Sequence, residues 1–243
     1  MRFENRIAVV TGGAGNIGQA LAEKFREHGV AVALADLKAE KAEEAAAALR
    51  ARGGRVRAYE MDVESRESVR DAAGRILSDF GRIDILINNA GVWRPSLFSE
   101  TTDEQWERMI DLNLNGTFRV SKAFLPAMLE NGYGRIVNLG SIAGEVGLPK
   151  YCGYSAAKAG VIMMTKVMAM ELARKNITVN CVSPGMIGFK TGPIKQNWLE
   201  RWGRPDEAAE LILFLASDDS AYITGCDYTI DGGRILGPRF ADV

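Results

Sequence analysis

Tyr154 and Lys158 stand four residues apart in the stretch YCGYSAAKAG, a spacing that puts both side chains on one face of a helix. A free tyrosine titrates near roughly pH 10 and is a poor base at neutrality. A nearby ammonium stabilises the phenolate, so Lys158 is expected to draw the Tyr154 value down by roughly one to three units. A tyrosine tuned in this way can give and take a proton at neutral pH. Ser141 closes the run GRIVNLGS, where its hydroxyl can face a carbonyl oxygen held by Tyr154. Histidine chemistry is a poor alternative. The only histidine, His28, precedes Gly29 where a helix should end, and capping with a favourable dipole interaction accounts for it. A Ser-His-Asp triad or a His-rich metal site therefore has no candidate. Cys152, Cys181 and Cys226 are widely spaced, with no C-x-x-C pair. They read as reduced small hydrophobes, and no metal site is expected.

A second group of residues suits a nucleotide. The stretch VVTGGAGNIGQALAEKF, Val9 to Phe25, holds a G-x-G-x-x-G at Gly13, Gly15 and Gly18. It also holds a longer frame, T-G-x-x-x-N-x-G, from Thr11 and Gly12 to Gly18. The stretch follows a strand and opens a helix, the context in which backbone N–H groups can hold a pyrophosphate. The next strand ends in Asp36, whose carboxylate suits ribose hydroxyls and would repel a 2′-phosphate. No arginine follows Asp36, and Lys38 reads as a solvated surface residue. These features favour NAD(H) over NADP(H). Asp62 and Val63 lie at the following strand end. Asp62 suits the adenine amino group, or equally a turn or helix cap.

Positioning these groups requires a particular framework. Short β-branched runs alternate with long amphipathic segments along all 243 residues, which predicts a parallel sheet covered on both faces. The reading is one doubly wound, Rossmann-type α/β domain spanning residues 1–243 with about seven strands. Ligands of such sheets bind beyond the carboxyl ends of the strands, where TGGAGNIG, LAD, MDV, NNAG, LGSIAG and SPGMIG fall. The net charge of −1 argues against a nucleic-acid or anionic-membrane partner. Neither a leader nor a membrane span is read in the chain, and a cytoplasmic location is expected.

The ordered motifs TGGAGNIG, NNAG, NLNGTF, Ser141, Tyr154 with Lys158, VSPG and the closing LASDDSAYITG…IDGG resemble those of the short-chain dehydrogenases/reductases. The likeness runs over nearly the whole chain and is greatest to the single-domain alcohol dehydrogenase and ketoreductase branch. It implies Tyr154 as general acid/base and Ser141 as the group that orients the substrate oxygen. Lys158 would lower the Tyr154 pKa and hold the nicotinamide ribose, and Asn113 would fix a water linking Lys158 to a proton relay. Asn89, Ala90 and Gly91 would pass beside the adenosine ribose and brace the glycine loop. Pro184, Gly185 and Ile187 would line the nicotinamide side, with Gly12, Gly15, Asn16, Ile17 and Gly18 at the phosphates.

The chain also departs from the family pattern. Asn16 takes the place of the usual middle glycine and is expected to tolerate a left-handed backbone there. Phe189 stands where a nicotinamide-contacting threonine is usual, with Thr191 two residues on. The segment 186–204 is short for a substrate lid and implies either a more open mouth or a harmless deletion. The expected pocket wall is Trp93, Ile142, Ala143, Leu148, Tyr151 and Met186, with Trp198 and Trp202 at the lid. This apolar lining suits a neutral alcohol or carbonyl compound, whereas Arg94 would either bind an anionic substituent or be solvated. VIMMTKVMAMEL is apolar on too much of its circumference for a surface helix, and with the resemblance it implies a homotetramer or homodimer. The implied function is reversible hydride transfer between NAD(H) and a secondary alcohol/ketone pair. The alternatives are a catalytically idle NAD-binding regulator, or an epimerase or dehydratase with a similar Tyr/Lys pair.

Overall fold

The computed structural model describes residues 3–237. Seven strands form one parallel sheet: β1 Ile7–Thr11, β2 Ala31–Asp36, β3 Val56–Glu60, β4 Ile85–Asn88, β5 Gly134–Leu139, β6 Ile177–Pro184 and β7 Asp227–Ile230. Their spatial order is β3-β2-β1-β4-β5-β6-β7. The central strands are buried throughout, which is why they read as unbroken apolar runs rather than alternating ones. The order reverses between β1 and β4, and a crevice opens at such a switch point.

Helices cover both faces. On one face α1 (Asn16–Glu27), α2 (Ala39–Arg50) and α8 (Pro205–Leu215) bury Leu21, Phe25, Leu49, Ile212 and Leu213 against Val10, Val32 and Ile87. On the other lie α3 (Arg66–Phe80), α5 (Gly116–Asn131) and α7 (Cys152–Leu172). These bury Ile76, Val120, Phe124 and Leu172 against Val9, Leu86, Ile136 and Val179. The long helical stretch that follows the NNAG loop has three parts: α4 (Asp103–Ile110), a π-helical turn (Asp111–Asn115) and α5. Such turns often mark functional positions, and this one contains Asn113. A short helix, α6 (Ile142–Val146), follows β5. His28 is the C-cap of α1, with Gly29 in the left-handed region behind it.

A chain of buried amides ties the sheet to α7. The Asn88 Nδ2 group donates to Ser121 Oγ (2.9 Å) and Asn138 Oδ1 (2.8 Å). Asn138 in turn donates to Thr165 Oγ1 (2.9 Å). In a low-dielectric core such a chain is directional and unforgiving of misplacement. It registers the strands leading to Asn89 and Ser141 against the helix that carries Tyr154 and Lys158. The opposite end of the sheet holds a separate ion cluster. There Asp84, 1% exposed, accepts from Ile7 N (2.9 Å) and pairs with Arg6 (3.3 Å) and Arg82 (2.9 Å).

The cysteines depart from expectation. Cys181 is buried on β6, but Cys152 and Cys226 are exposed, and all three are free thiols. No helix among the described residues is long and apolar enough to cross a membrane, and they hold no metal-ligating cluster.

Candidate active site

The carboxyl ends of the strands are edged by a groove of about 580 Å³. It is lined by Gly12, Gly15, Asn16, Ile17, Asp36, Asp62, Val63, Asn89, Ala90 and Gly91, among others. The glycine loop fits tightly because two residues lack side chains. Gly12 has φ +61°, and a Cβ there would lie 2.9 Å from Ala90 Cα. Gly18 lies beneath the loop, where a Cβ would meet Gly12 O at 2.5 Å. The left-handed residue is therefore Gly12. Asn16 is simply the first residue of α1 and has no positive φ, so its supposed tolerance of that conformation is not called on.

The loop is braced from β4. Asn89 Nδ2 donates to Thr11 O and Gly12 O, both at 3.0 Å. Thr11 Oγ1 accepts from Asn89 N and Ala90 N, both at 3.1 Å. Asp36 is oriented by two backbone amides, with Oδ2 accepting from Ala14 N (3.0 Å) and Oδ1 from Lys38 N (2.9 Å). Asp62 Oδ1 closes a turn by accepting from Glu64 N (2.9 Å), so its turn role is realised while the residue still faces the groove; the cap of α3 is Ser65. The lysines on this rim, Lys38 and Lys41, are both exposed.

A second cavity, of about 460 Å³, opens from the first and shares Ile17, Asn89, Gly91, Trp93 and Ile187 with it. Ser141, Tyr154 and Lys158 line it together. Ser141 caps α6, its Oγ accepting from Ala143 N at 3.2 Å. Gly144 lets α6 lie directly on α7, since a Cβ there would come 2.7 Å from both Ala159 N and Lys158 C. That close approach brings Ser141 to Tyr154 and Lys158.

Lys158 is 3% exposed, and its ammonium donates to Leu139 O at 2.7 Å. It lies 5.7 Å from the centroid of the Tyr154 ring. Burial pushes its pKa down to about 8, as expected for a desolvated ammonium. Tyr154 differs from expectation: burial raises its pKa above the ordinary tyrosine value, and the Ser141 hydrogen bond opposes this. Desolvation wins because Lys158 spends its short hydrogen bond on Leu139 O rather than on the phenol.

Asn113 is fully buried and lines neither cavity. Its Nδ2 donates to Val92 O and Met109 O, both at 3.0 Å, and its Oδ1 accepts from Val92 N at 3.2 Å. The amide thus pins the chain after β4 to the π-helical turn. The space beyond is narrow: a Cβ on Gly91 would lie 2.9 Å from Asn113 Oδ1 and 3.4 Å from Lys158 Nζ.

Trp93, Ile142, Ala143, Leu148, Tyr151 and Met186 all line the second cavity, as do Pro184, Gly185 and Ile187. Phe189 and Thr191 line neither, and Phe189 is 73% exposed. The short lid is pinched at its base, where Gly188 N donates to Gly203 O and Gly203 N to Met186 O, each at 2.9 Å. Trp202 lines the cavity while Trp198 does not, and Arg94 faces a neighbouring cavity of about 320 Å³. Gln196 and Arg234 were not legible as cavity residues; the IDGG motif shortly before Arg234 was the one available signal.

The site suits a nicotinamide cofactor: the cradle is kept free of side chains at Gly12 and Gly91, and a carboxylate and a buried ammonium face the two linked cavities. Similarity to known proteins points the same way. A family model described as short chain dehydrogenase matches residues 6–199. The 3-oxoacyl-[acyl-carrier-protein] reductase FabG of Thermotoga maritima is 37% identical, over 97% of this chain and all of its own. The acetoacetyl-CoA reductase of Rhizobium meliloti is 39% identical, over 95% of this chain and 98% of its own. The crystal structure of gox2181 superposes with a TM-score of 0.92 at 36% identity, covering 97% of this chain and 98% of that one. The chain belongs to the short-chain dehydrogenase family, whose members are nicotinamide-dependent oxidoreductases.

Proposed function

We propose that the protein interconverts a ketone and a secondary alcohol with NAD(H). The observation that carries this reading is the single cavity wall formed by Ser141, Tyr154 and Lys158, continuous with the glycine-loop groove. The nicotinamide, when bound, accepts or donates the hydride. Gly12, Gly15, Asn16 and Ile17 would hold the phosphates, and Asp36, Asp62 and Val63 the adenosine end. Asn89, Ala90 and Gly91 would pass beside the adenosine ribose and brace the glycine loop, and Pro184, Gly185 and Ile187 would flank the nicotinamide. In reduction the Tyr154 hydroxyl gives its proton to the substrate oxygen, and Ser141 donates a hydrogen bond that holds this oxygen in place. Lys158 supplies positive charge behind the phenolate so formed, and Asn113 keeps Gly91 and Val92 in register with the helix below. Burial keeps the Tyr154 hydroxyl protonated at neutral pH, the form from which reduction takes its proton, while making that proton harder to give. The reductase names of the two curated relatives agree with the reductive direction.

Asp36 supports NAD(H) over NADP(H). Its carboxylate is fixed by two amides at the rim, whereas the Lys38 and Lys41 side chains are exposed. NADH should bind more tightly than NADPH in fluorescence titrations, and Asp36→Arg should reverse the order, with a combined swing of roughly 100-fold from one repulsion lost and one ion pair gained. An unchanged order in the variant would remove Asp36 from this role.

Homo-oligomerisation belongs to the same reading. Met163 (57% exposed), Val167 and Met170 (75%) form an apolar stripe along α7, and Phe118 and Leu129 stand exposed on α5. Contiguous apolar helix faces of this kind mark subunit contacts. Light scattering should give two or four chain masses, and a monomer at micromolar concentration would refute the assignment.

A further inference from the structure

The cavity holding Ser141, Tyr154 and Lys158 is lined by two cations and no carboxylate. Lys158 belongs to the proton chemistry proposed above. The other cation, Arg234, is unused by it. Its Nη1 lies 3.0 Å from Met186 Sδ, a weak acceptor, and among the described residues no other side chain or carbonyl accepts from the guanidinium fork. Among the described residues no carboxylate forms an ion pair with Arg234. Asp231, the acid nearest in sequence, is engaged with the backbone: Oδ1 accepts from Gly233 N (2.7 Å) and Oδ2 from Ile235 N (2.9 Å).

Those two bonds build the device that presents the guanidinium. After β7, Gly232 (φ +66°) and Gly233 (φ +82°) turn the chain through the left-handed region into a 3₁₀ turn, Arg234–Leu236. Residues with side chains rarely adopt this conformation. A Cβ on Gly232 would meet Asn197 Cγ at 3.1 Å, and one on Gly233 would meet Trp198 Cδ1 at 3.1 Å. Leu199 N also donates to Gly232 O at 3.1 Å. The turn is therefore clamped against the lid, and Arg234 enters the cavity from a fixed backbone. A half-buried arginine that faces a largely apolar cavity, with no carboxylate partner among the described residues, favours a ligand that supplies the counter-charge, and its planar fork matches a carboxylate bidentately.

We infer that Arg234 sets the substrate class of this site: a small oxo acid whose carboxylate pairs with the guanidinium while its keto oxygen meets Tyr154 and Ser141. This rests on the carbonyl reading above and replaces the expectation of a neutral substrate. It also moves anion recognition from Arg94, which opens onto the neighbouring cavity, to a residue that faces the catalytic groups.

The test compares levulinate and acetoacetate with their methyl esters, using NADH and the wild-type, Arg234→Met and Arg234→Lys proteins. The wild type should favour each acid over its ester in kcat/KM. Arg234→Met should cut the acid-to-ester ratio by roughly 10- to 100-fold, the range of a charge-assisted hydrogen bond, chiefly through KM. Arg234→Lys should restore part of that ratio. An ester used as well as its acid by the wild type, or a ratio unchanged in Arg234→Met, overturns the inference. If none of the four compounds turns over, calorimetric titration of levulinate and methyl levulinate into NAD+-loaded protein decides separately. Tighter levulinate binding that is lost in Arg234→Met upholds the anion site while the hydride-transfer reading fails. Equal binding of the two overturns the anion site.

Discussion

Tyr154→Phe should lower kcat/KM for ketone reduction by about 1000-fold while leaving NADH affinity within a few-fold of wild type. The estimate follows from the usual contribution of a positioned general acid, roughly 100- to 10,000-fold. The change removes one hydroxyl and leaves the ring, so its contacts in the cavity wall survive. The Tyr151 ring centroid lies 6.4 Å from that of Tyr154, a contact that phenylalanine retains. Circular dichroism and NADH fluorescence would establish that fold and cofactor groove are intact before rates are compared. A variant that retained most of its activity would mean that another group delivers the proton. Ser141 is the neighbour to examine in that case, because its hydroxyl shares the cavity wall with Tyr154.

Lys158→Met should do two opposite things. Activity should fall steeply, because the positive charge behind the phenolate is lost. Thermodynamic stability at neutral pH should rise by about 1–3 kcal/mol, despite the loss of a hydrogen bond to Leu139 O. Holding an ammonium where burial lowers its pKa from 10.5 to about 8 costs the folded state on the order of 3 kcal/mol. The unsatisfied carbonyl returns roughly 1 kcal/mol or more of that. The pH dependence has a definite sign. Between about pH 8 and 10.5 the unfolded chain binds the Lys158 proton and the folded chain does not, so wild-type stability from this group rises with pH through that window. Below about pH 8 both states are protonated and the full cost remains. The advantage of Lys158→Met should therefore be largest near neutrality and shrink as pH rises towards 10.5. Urea unfolding at several pH values measures it directly, and a variant less stable than wild type at neutral pH would show that the buried ammonium is not a stored cost. Such a trade of stability for activity is common at functional sites.

The seven strands and their helices were readable because burial on both sheet faces leaves an unmistakable pattern: IAVVT and ILIN are apolar at nearly every position. The residues facing the two cavities were readable because a parallel sheet sends all its functional loops to one edge. What escaped depended on tertiary detail. A π-helical turn of five residues, Asp111–Asn115, is too short to register against the apolar periodicity of the helices on either side of it, so the environment of Asn113 could not be inferred. The Tyr154 pKa hinges on where the Lys158 ammonium points. Spacing places the two on one face but says nothing about Leu139 O. The family pattern suggests a left-handed backbone at Asn16, but the residue that adopts it is Gly12. Arg234 lies far along the chain from Tyr154, and only the Asp231-capped turn after β7 brings it to the cavity, so no local pattern could reveal it.

The central claim is that Tyr154 and Ser141 hold a carbonyl oxygen while its carbon exchanges hydride with nicotinamide. Mass spectrometry of the product tests it most directly. Levulinate or methyl levulinate would be incubated with wild-type protein and NADH stereospecifically deuterated at each transfer position in turn. The account predicts one deuterium at the carbinol carbon from only one of the two labelled forms, and about 1000-fold slower labelling by Tyr154→Phe. Product without deuterium from either form, or equal labelling rates in the two proteins, would contradict it.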